Sequence, residues 1–399
     1  MNQEFNLLRK ELDNELNQNI LPYWMQHSLD TNYGGFIGGI NFFNKPIPKA
    51  TKGAVLNARI LWTFSAAFRL TSKQTYYDIA KRAYNYLIAY FIDKQFGGVF
   101  WELSYTGEPV NTRKQIYALS FALYGLVEYY RASGEEQALN EAVKLFSLIE
   151  KYSFDKEKNG YVEAFSRNWQ VLTDMRLSEK DANESKTMNT HLHILEAYTH
   201  LFRVYKNQRL KQALKNLIEL FLEKFISNEF HLNLFFDEDW NPKSNHISYG
   251  HDIECAWLLY EAAEVLHDVV LIEKVKKISI AMTKAVLPAV DNDGGLFNEY
   301  EPNHNLTDTD KHWWPQAEAL VGFFNAYQLS GETIFAKQTL ASWNFIKHYM
   351  IDKNHGEWFW RVNKQGIPYT TNEKAGFWKC PYHNARACME ILARNTDNI

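Results

Sequence analysis

Asp93-Lys-Gln-Phe-Gly-Gly-Val-Phe-Trp101 is the stretch that decides the architecture, because variants of it recur along the chain. Each is an Asp or Asn, a few polar residues, often Gly-Gly, and then an aromatic-rich alternating segment. The other copies are Asp30-Thr-Asn-Tyr-Gly-Gly-Phe36, Asp155-Lys-Glu-Lys-Asn-Gly-Tyr-Val-Glu163, Asn228-Glu-Phe-His-Leu-Asn-Leu-Phe-Phe236, Asp291-Asn-Asp-Gly-Gly-Leu-Phe-Asn-Glu299 and Asp352-Lys-Asn-His-Gly-Glu-Trp-Phe-Trp360. They return about every 63 residues, with the third interval longer than the rest; a fixed period of this kind marks a repeated supersecondary unit. Glycine supplies the turn, and alternating aromatics suit a short, half-exposed strand.

Between copies the apolar residues recur at spacings of three and four, which predicts paired amphipathic helices. Val55 to Leu70 followed by Tyr76 to Phe91 is one pair, and Ile116 to Ser133 followed by Gln137 to Tyr152 is another. Gly134 and Gly331 fall at breaks between paired helices, where a left-handed cap belongs. An open solenoid needs polar capping repeats, whereas the terminal repeats here are as apolar as the middle ones, which favours a closed ring. The expectation is an all-α, (α/α)6 barrel of about twelve helices with short β-hairpins in the loops at one end. No Pro/Gly/Ser-rich linker divides it, so residues 1–399 are expected to form a single catalytic domain.

Composition narrows the function. The net charge of −4 lacks the basic excess that nucleic-acid binding needs. No apolar run approaches a membrane span, and the amphipathic N-terminus does not read as a signal peptide, so a cytoplasmic protein is expected. Cys255, Cys380 and Cys388 include no Cys-x-x-Cys pair and read as small buried hydrophobes. Aromatic residues reach 15%, with twelve Trp. Such residues serve equally as core fillers or as stacking platforms for sugar rings.

Three polar segments open inner helices and carry histidine: Lys186-Thr-Met-Asn-Thr-His-Leu-His193, Ser248-Tyr-Gly-His-Asp-Ile-Glu254 and Gly376-Phe-Trp-Lys-Cys-Pro-Tyr-His383. Singly, each histidine could be a packing or capping residue. Together, His193, His251 and His383 sit where helix starts converge on one mouth of a barrel. Asn189 shares a helix face with His193, and Glu254 lies three residues from His251, close enough to touch. His191 points away from His193, and no His-Glu-x-x-His, cysteine pair or carboxylate-rich cluster surrounds these histidines, so no metal is expected. Acid–base work is the better reading. Glu254 is expected to favour charge on His251, and the helix N-terminus to disfavour it on His383. Arg59, on an otherwise apolar helix, is either salt-bridged to an acid or a free cation for an oxyanion.

At these residues the chain resembles the N-acylglucosamine 2-epimerase superfamily, and within it the cellobiose 2-epimerase branch. The matching pieces are Ala58-Arg-Ile-Leu-Trp62, Lys114-Gln-Ile-Tyr-Ala118, the Lys186 segment, Gly250-His-Asp-Ile-Glu254, Trp313-Trp-Pro-Gln-Ala-Glu318 and the Gly376 segment, in order over nearly the whole chain. The resemblance implies an (α/α)6 barrel and reversible epimerisation at C2 of the reducing-end glucose of β-1,4-linked disaccharides. It also implies proton transfer without a cofactor. It assigns His251 and His383 as the acid–base pair and His193 as a third catalytic histidine. Arg59, Tyr117, Asn189 and Glu254 become polar substrate-binding positions, and Trp314 and Trp378 stacking positions. The expected partner is a small disaccharide, and the chain is expected to act as a monomer or weak homo-oligomer. N-acetylglucosamine 2-epimerisation and mannose/glucose isomerisation are the alternatives within the superfamily. Outside it stand a glycoside hydrolase, with Glu163, Asp174 and Glu254 as available acids, and a non-catalytic sugar-binding module.

Overall fold

A computed structural model describes residues 2–394. In chain order its α-helices are α1 (Asn2–Asn14), α2 (Leu21–His27), α3 (Ala54–Thr71), α4 (Gln74–Tyr86), α5 (Ile116–Ser133), α6 (Glu136–Leu148), α7 (Met188–Val204), α8 (Gln208–Leu220), α9 (Tyr249–Leu266), α10 (Val269–Val286), α11 (Trp313–Ser330), α12 (Thr333–Phe345) and α13 (Tyr382–Ala393). A π-helical turn over Glu15–Ile20 joins α1 to α2, so thirteen segments make twelve rods. Six of them, α3, α5, α7, α9, α11 and α13, pack each against the next, and α13 returns to α3. The ring is therefore closed, as the apolar terminal repeats predict. The outer rods are α1–α2, α4, α6, α8, α10 and α12.

The two rings differ as their sequences require. Residues 54 to 65 of α3 are all buried, as suits a helix walled in on every side. In α8 the buried residues Leu210, Ala213, Leu214, Leu217 and Ile218 form one stripe at three- and four-residue spacing, with Leu220 buried at the helix end. Gly134 and Gly331 close α5 and α11 at φ of 73° and 70°, the left-handed caps expected of them. The three cysteines are buried and unpaired.

Each repeat also contributes to a second ring, of short extended pairs, at the end where the inner helices begin. Lys52–Gly53 pairs with Glu102–Leu103, Lys114–Gln115 with Ala164–Phe165, and Lys186–Thr187 with Phe235–Phe236. Ile247–Ser248 joins Glu299–Glu301, Lys311–His312 joins Arg361–Val362, and Ala375 bridges back to Ile40. Five inner helices, α3, α5, α7, α9 and α11, are thus entered directly from a strand hydrogen-bonded to the following repeat, and the segment leading to α13 makes a single bridge at Ala375.

An ion pair made by a buried lysine fixes this entry in five repeats. Lys52–Asp30 (2.7 Å), Lys114–Asp93 (2.9 Å), Lys186–Asp155 (2.9 Å), Lys311–Asp291 (2.8 Å) and Lys374–Asp352 (2.7 Å) each join an entry strand to the acid that opens the same repeat's signature. In the fourth repeat the Ile226–Leu232 bridge matches Ile92–Val99, which puts Ser227, rather than Asn228, at the acid's place. Ile247 stands at the lysine's place, so both charges are missing together. A buried charge stripped of its partner costs about 3–5 kcal/mol, whereas an apolar replacement of the whole pair is often neutral. Lys374→Ile is therefore expected to lower the urea midpoint more than the double variant Lys374→Ile with Asp352→Ser. A double variant as unstable as the single one would show that the loss is not electrostatic.

Candidate active site

The starts of the inner helices converge on a cavity of about 550 Å³, within the range that holds a small ligand. Its wall includes all nine candidate residues: Arg59, Tyr117, Asn189, His193, His251, Glu254, Trp314, Trp378 and His383. His312, Trp313 and Trp360 join them. The chain from Leu177 to Asp181 lines the cavity as well. It belongs to the longest interval between repeats, so the extra length of that interval is spent at the mouth of the site. The interval's length was the signal for this segment; the sequence reading gave it no role.

The histidines are held from behind. Nδ1 of His193 lies 2.9 Å from Glu196, Nδ1 of His383 lies 2.7 Å from Glu318, and Nδ1 of His251 lies 2.8 Å from the hydroxyl of Ser248. Among the described residues no side chain bonds their Nε2 atoms, which are left for the cavity. A carboxylate at Nδ1 fixes the tautomer: neutral His193 and His383 carry the proton on Nδ1 and offer a lone pair at Nε2. The Ser248 hydroxyl can donate to or accept from Nδ1 of His251, so this contact, unlike a carboxylate, does not by itself fix the tautomer. His191, by contrast, accepts the Tyr161 N–H at 2.9 Å and engages the Thr187 carbonyl, which is a structural duty.

This corrects the expected electrostatics. Glu254 does not bond His251; it accepts from Arg386 at 2.7 Å and lies 4.0 Å from Nδ1 of His383. The carboxylate-backed member of the pair is His383. The absence of a carboxylate cluster is overturned too, since Glu254, Glu318 and His383 bring ligand atoms within 4.8 Å of one another. Arg386 already supplies the positive charge there. It also bonds Glu318 at 2.6 Å, and contacts Glu196 and the Tyr382 hydroxyl, which itself bonds Glu196. Trp257 donates to Glu318 at 3.0 Å. Burial raises the Glu318 carboxyl, but Arg386 and His383 outweigh it and hold it low. Burial and Glu318 push Glu254 up. The sequence reading gave Glu196, Glu318 and Arg386 no role. The signal that singled out Arg59, a charge on an apolar inner helix, applies equally to these three.

Arg59 makes no salt bridge among the described residues. One guanidinium nitrogen donates to the Tyr117 hydroxyl at 2.8 Å, the group lies 4.1 Å over the Phe121 ring, and Nε is buried without a partner. Of the two expectations, the free cation is the one realised. Asn189 Oδ1 is likewise unpartnered. Trp314 sits beside both acid–base candidates, with ring centroids 4.7 Å from His251 and 5.8 Å from His383. Its approach requires Gly250, where an added Cβ would lie 2.5 Å from the indole.

Burial lowers both His251 and His383 to about 3, in the second case against the Glu318 bond. A group held below its ordinary value of about 6.5 is neutral at pH 7. Their imidazole C–H resonances in the ligand-free protein are therefore expected not to titrate between pH 5 and 8. Assignment would come from loss of each signal in the single variants. A titration midpoint near 6.5 for either would overturn the buried-neutral description.

Residues 35–387 match the family model of N-acylglucosamine 2-epimerase (GlcNAc 2-epimerase). The chain belongs to this family. Among its relatives, the cellobiose 2-epimerase of Bacteroides fragilis is 51% identical over 387 residues, 97% of this chain and 99% of that one. The solved structure of cellobiose 2-epimerase from Bacillus thermoamylovorans superposes with a TM-score of 0.94 at 40% identity, covering 98% of this chain and 100% of that one. A solved D-mannose isomerase shares the fold, with a TM-score of 0.84 at 22% identity over 96% and 97% of the two chains. Membership of the N-acylglucosamine 2-epimerase family thus accounts for the barrel.

Proposed function

We propose that the chain reversibly epimerises C2 of the reducing-end glucose of β-1,4-linked disaccharides, cellobiose among them, by proton transfer through a cis-enediolate. The observation that carries this reading is one cavity holding two imidazoles with different backing, His383 on a carboxylate and His251 on a hydroxyl, beside the unpaired Arg59. The name and 51% identity of the Bacteroides relative support the disaccharide, and the 550 Å³ cavity has room for one. The reading takes the enzyme to work as one catalytic domain in the cytoplasm, with no cofactor. Among the described residues no helix is long and apolar enough to cross a membrane.

A C–H bond is acidic enough only beside a carbonyl, so the sugar ring opens first, aided by His193 at the ring oxygen or O1. His383 then removes the C2 proton. Glu318 stabilises the imidazolium that forms, as a buried carboxylate does for a catalytic histidine. Negative charge moves to O1, where Arg59 meets it without having to leave another anion. Rotation about C2–C3 presents the opposite face to His251, which delivers a proton and gives mannose. Charge balance requires one added proton on the pair: on His251 when glucose enters, and on His383 in reverse. Burial holds both imidazoles well below their ordinary value, so that proton is taken up with the substrate. Trp314 and Trp378 serve as stacking faces, and Tyr117, Asn189 and Glu254 as polar contacts.

The test is incubation with cellobiose in deuterated water. Deuterium at C2 together with a mannose-ended disaccharide is the expected result; free glucose would mean hydrolysis instead. Hydrolysis is disfavoured by where the acids lie. Glu163 is buried under donors from Thr187, Thr190 and Gln115, and Asp174 pairs with Arg176, so of these three only Glu254 reaches the cavity wall, and it is held by Arg386. The other wall carboxyls, Glu179 and Asp181, sit together on the mouth segment, where Asp181 accepts from Ser178. A glycosidase needs two facing carboxyl groups.

A further inference from the structure

Glu357 stands where three other repeats have glycine. It is the second residue of the signature turn, the place held by Gly35, Gly98 and Gly160 at φ of 61°, 75° and 84°. In each of these four turns the carbonyl of that residue accepts the N–H of the acid that opens the signature: Gly35 from Asp30, Gly98 from Asp93, Gly160 from Asp155 and Glu357 from Asp352. Glu357 keeps the left-handed backbone, at φ of 63°, although it carries a side chain. A residue other than glycine is uncommon there, and such outliers gather at functional sites.

The side chain is buried and occupied. Its carboxylate accepts from Lys379 at 2.5 Å, Asn384 at 2.6 Å and Trp24 at 3.2 Å, and from the Trp358 N–H. Lys379, its ion-pair partner, is equally buried. Lys379 and Asn384 lie on either side of His383, the first before α13 and the second in its first turn. Helix α13 needs such a tie because no strand leads directly into it. Residues 376–381 separate the bridge at Ala375 from Tyr382, and the Lys374–Asp352 pair anchors only the near side of that gap. We infer that Glu357 is a positioning residue for His383, in a role that rests on the two-base reading above. By gripping Lys379 and Asn384 it does for α13 what a paired strand does for the other inner helices, and so sets where Nε2 of His383 meets the C2 proton. Glu318 fixes the rotation of the same ring through Nδ1. The grip also steadies Trp378, which adjoins Lys379 and lines the sugar cavity.

The experiment measures deuterium entering C2 from deuterated water, with cellobiose and its mannose-ended epimer supplied separately to the full chain. Glu357→Gln keeps the shape of the side chain and weakens its hold on Lys379. It should slow labelling of cellobiose, the task of His383, by at least about 10-fold, since a misplacement of about 1 Å can cost about 100-fold. Epimerisation should fall with it in both directions. Labelling of the mannose-ended sugar, the task of His251, should stay near the parental rate. A merely structural role would slow both labels together, in step with a lower folded fraction read from urea unfolding. Glu357→Gly combined with Lys379→Met is the second variant. Glycine suits the turn and no buried charge is left unpaired, so backbone strain and a stranded lysine are both removed. The same selective loss is expected in it. Equal loss from both sugars, or parental labelling of cellobiose in either variant, overturns the positioning role. His251→Ala and His383→Ala run alongside. If each labels only one sugar while the Glu357 variants slow both equally, the two-base reading stands and the role of Glu357 falls. If the histidine variants show no such selectivity, the two-base reading falls and the role of Glu357 with it.

Discussion

In deuterated water the His251→Ala variant is expected to place deuterium at C2 of the glucose-ended disaccharide while forming almost none of its mannose-ended epimer. The remaining base, His383, still removes the C2 proton of the glucose form, exchanges it with solvent and returns deuterium to the same face. The opposite face has no donor, so inversion stops. His383→Ala should do the converse, labelling the mannose-ended sugar through His251 and leaving the glucose-ended one unlabelled. Epimerisation in each should fall by about 100- to 10,000-fold, the usual contribution of an acid–base group. The crossed pattern is the decisive readout. A loss of turnover alone also follows from misfolding, whereas exchange confined to one epimer requires a folded site with one base removed. If both variants label both sugars, or either epimerises near the parental rate, the two-base assignment is wrong. If His251→Ala labels the mannose form instead, the faces are assigned the wrong way round.

The second large effect is expected at Arg386. This guanidinium is the shared counter-charge of Glu196, Glu254 and Glu318, and all four are buried. Arg386→Met leaves carboxylates facing one another behind the histidines. One stranded buried charge costs about 3–5 kcal/mol, and a change of that size is a large share of a domain's stability. The urea midpoint should fall sharply, and turnover should drop with it, because Glu318 loses the partner that holds it on Nδ1 of His383. Arg386→Lys keeps the charge but loses the fork that bridges separate carboxylates, and should lie between the two. Parental stability and turnover in Arg386→Met would show that the carboxylates find their protons elsewhere and that the arginine is dispensable.

The barrel was legible because its evidence is periodic. The signature turn repeats, the helical stripes alternate with it, and the capping glycines fall where a reversal needs a left-handed residue. The histidines were legible as members of helix-opening segments, and the closed ring then brings them to one mouth. Pairing was not legible. His251 and Glu254 stand three apart, which secures proximity but not preference. A buried carboxylate that can reach a guanidinium 132 residues away turns to it, and His251 is left with its local serine. Contacts such as Glu318 with His383 and Arg386 cross between helices far apart in sequence, so no local spacing encodes them. The cavity-lining segment at Leu177–Asp181 was hidden for a different reason. It carries no period of its own and announces itself only as an irregularity in someone else's.

The return of α13 to α3 has a consequence for how the enzyme comes into being. A chain is made from its N-terminus, and α13 is the last of the described helices to be synthesised. It brings His383, Arg386 and Tyr382. Until it docks, the nascent protein has most of its wall, its free cation and two of its three histidines, but not the histidine proposed as first base and no counter-charge for three buried acids. On the proposed two-base reading, an incomplete chain is both catalytically silent and electrostatically frustrated at its centre. The final docking step, which joins segments separated by nearly the full length of the chain, is where slow maturation should concentrate. Activity and the completed fold then appear together.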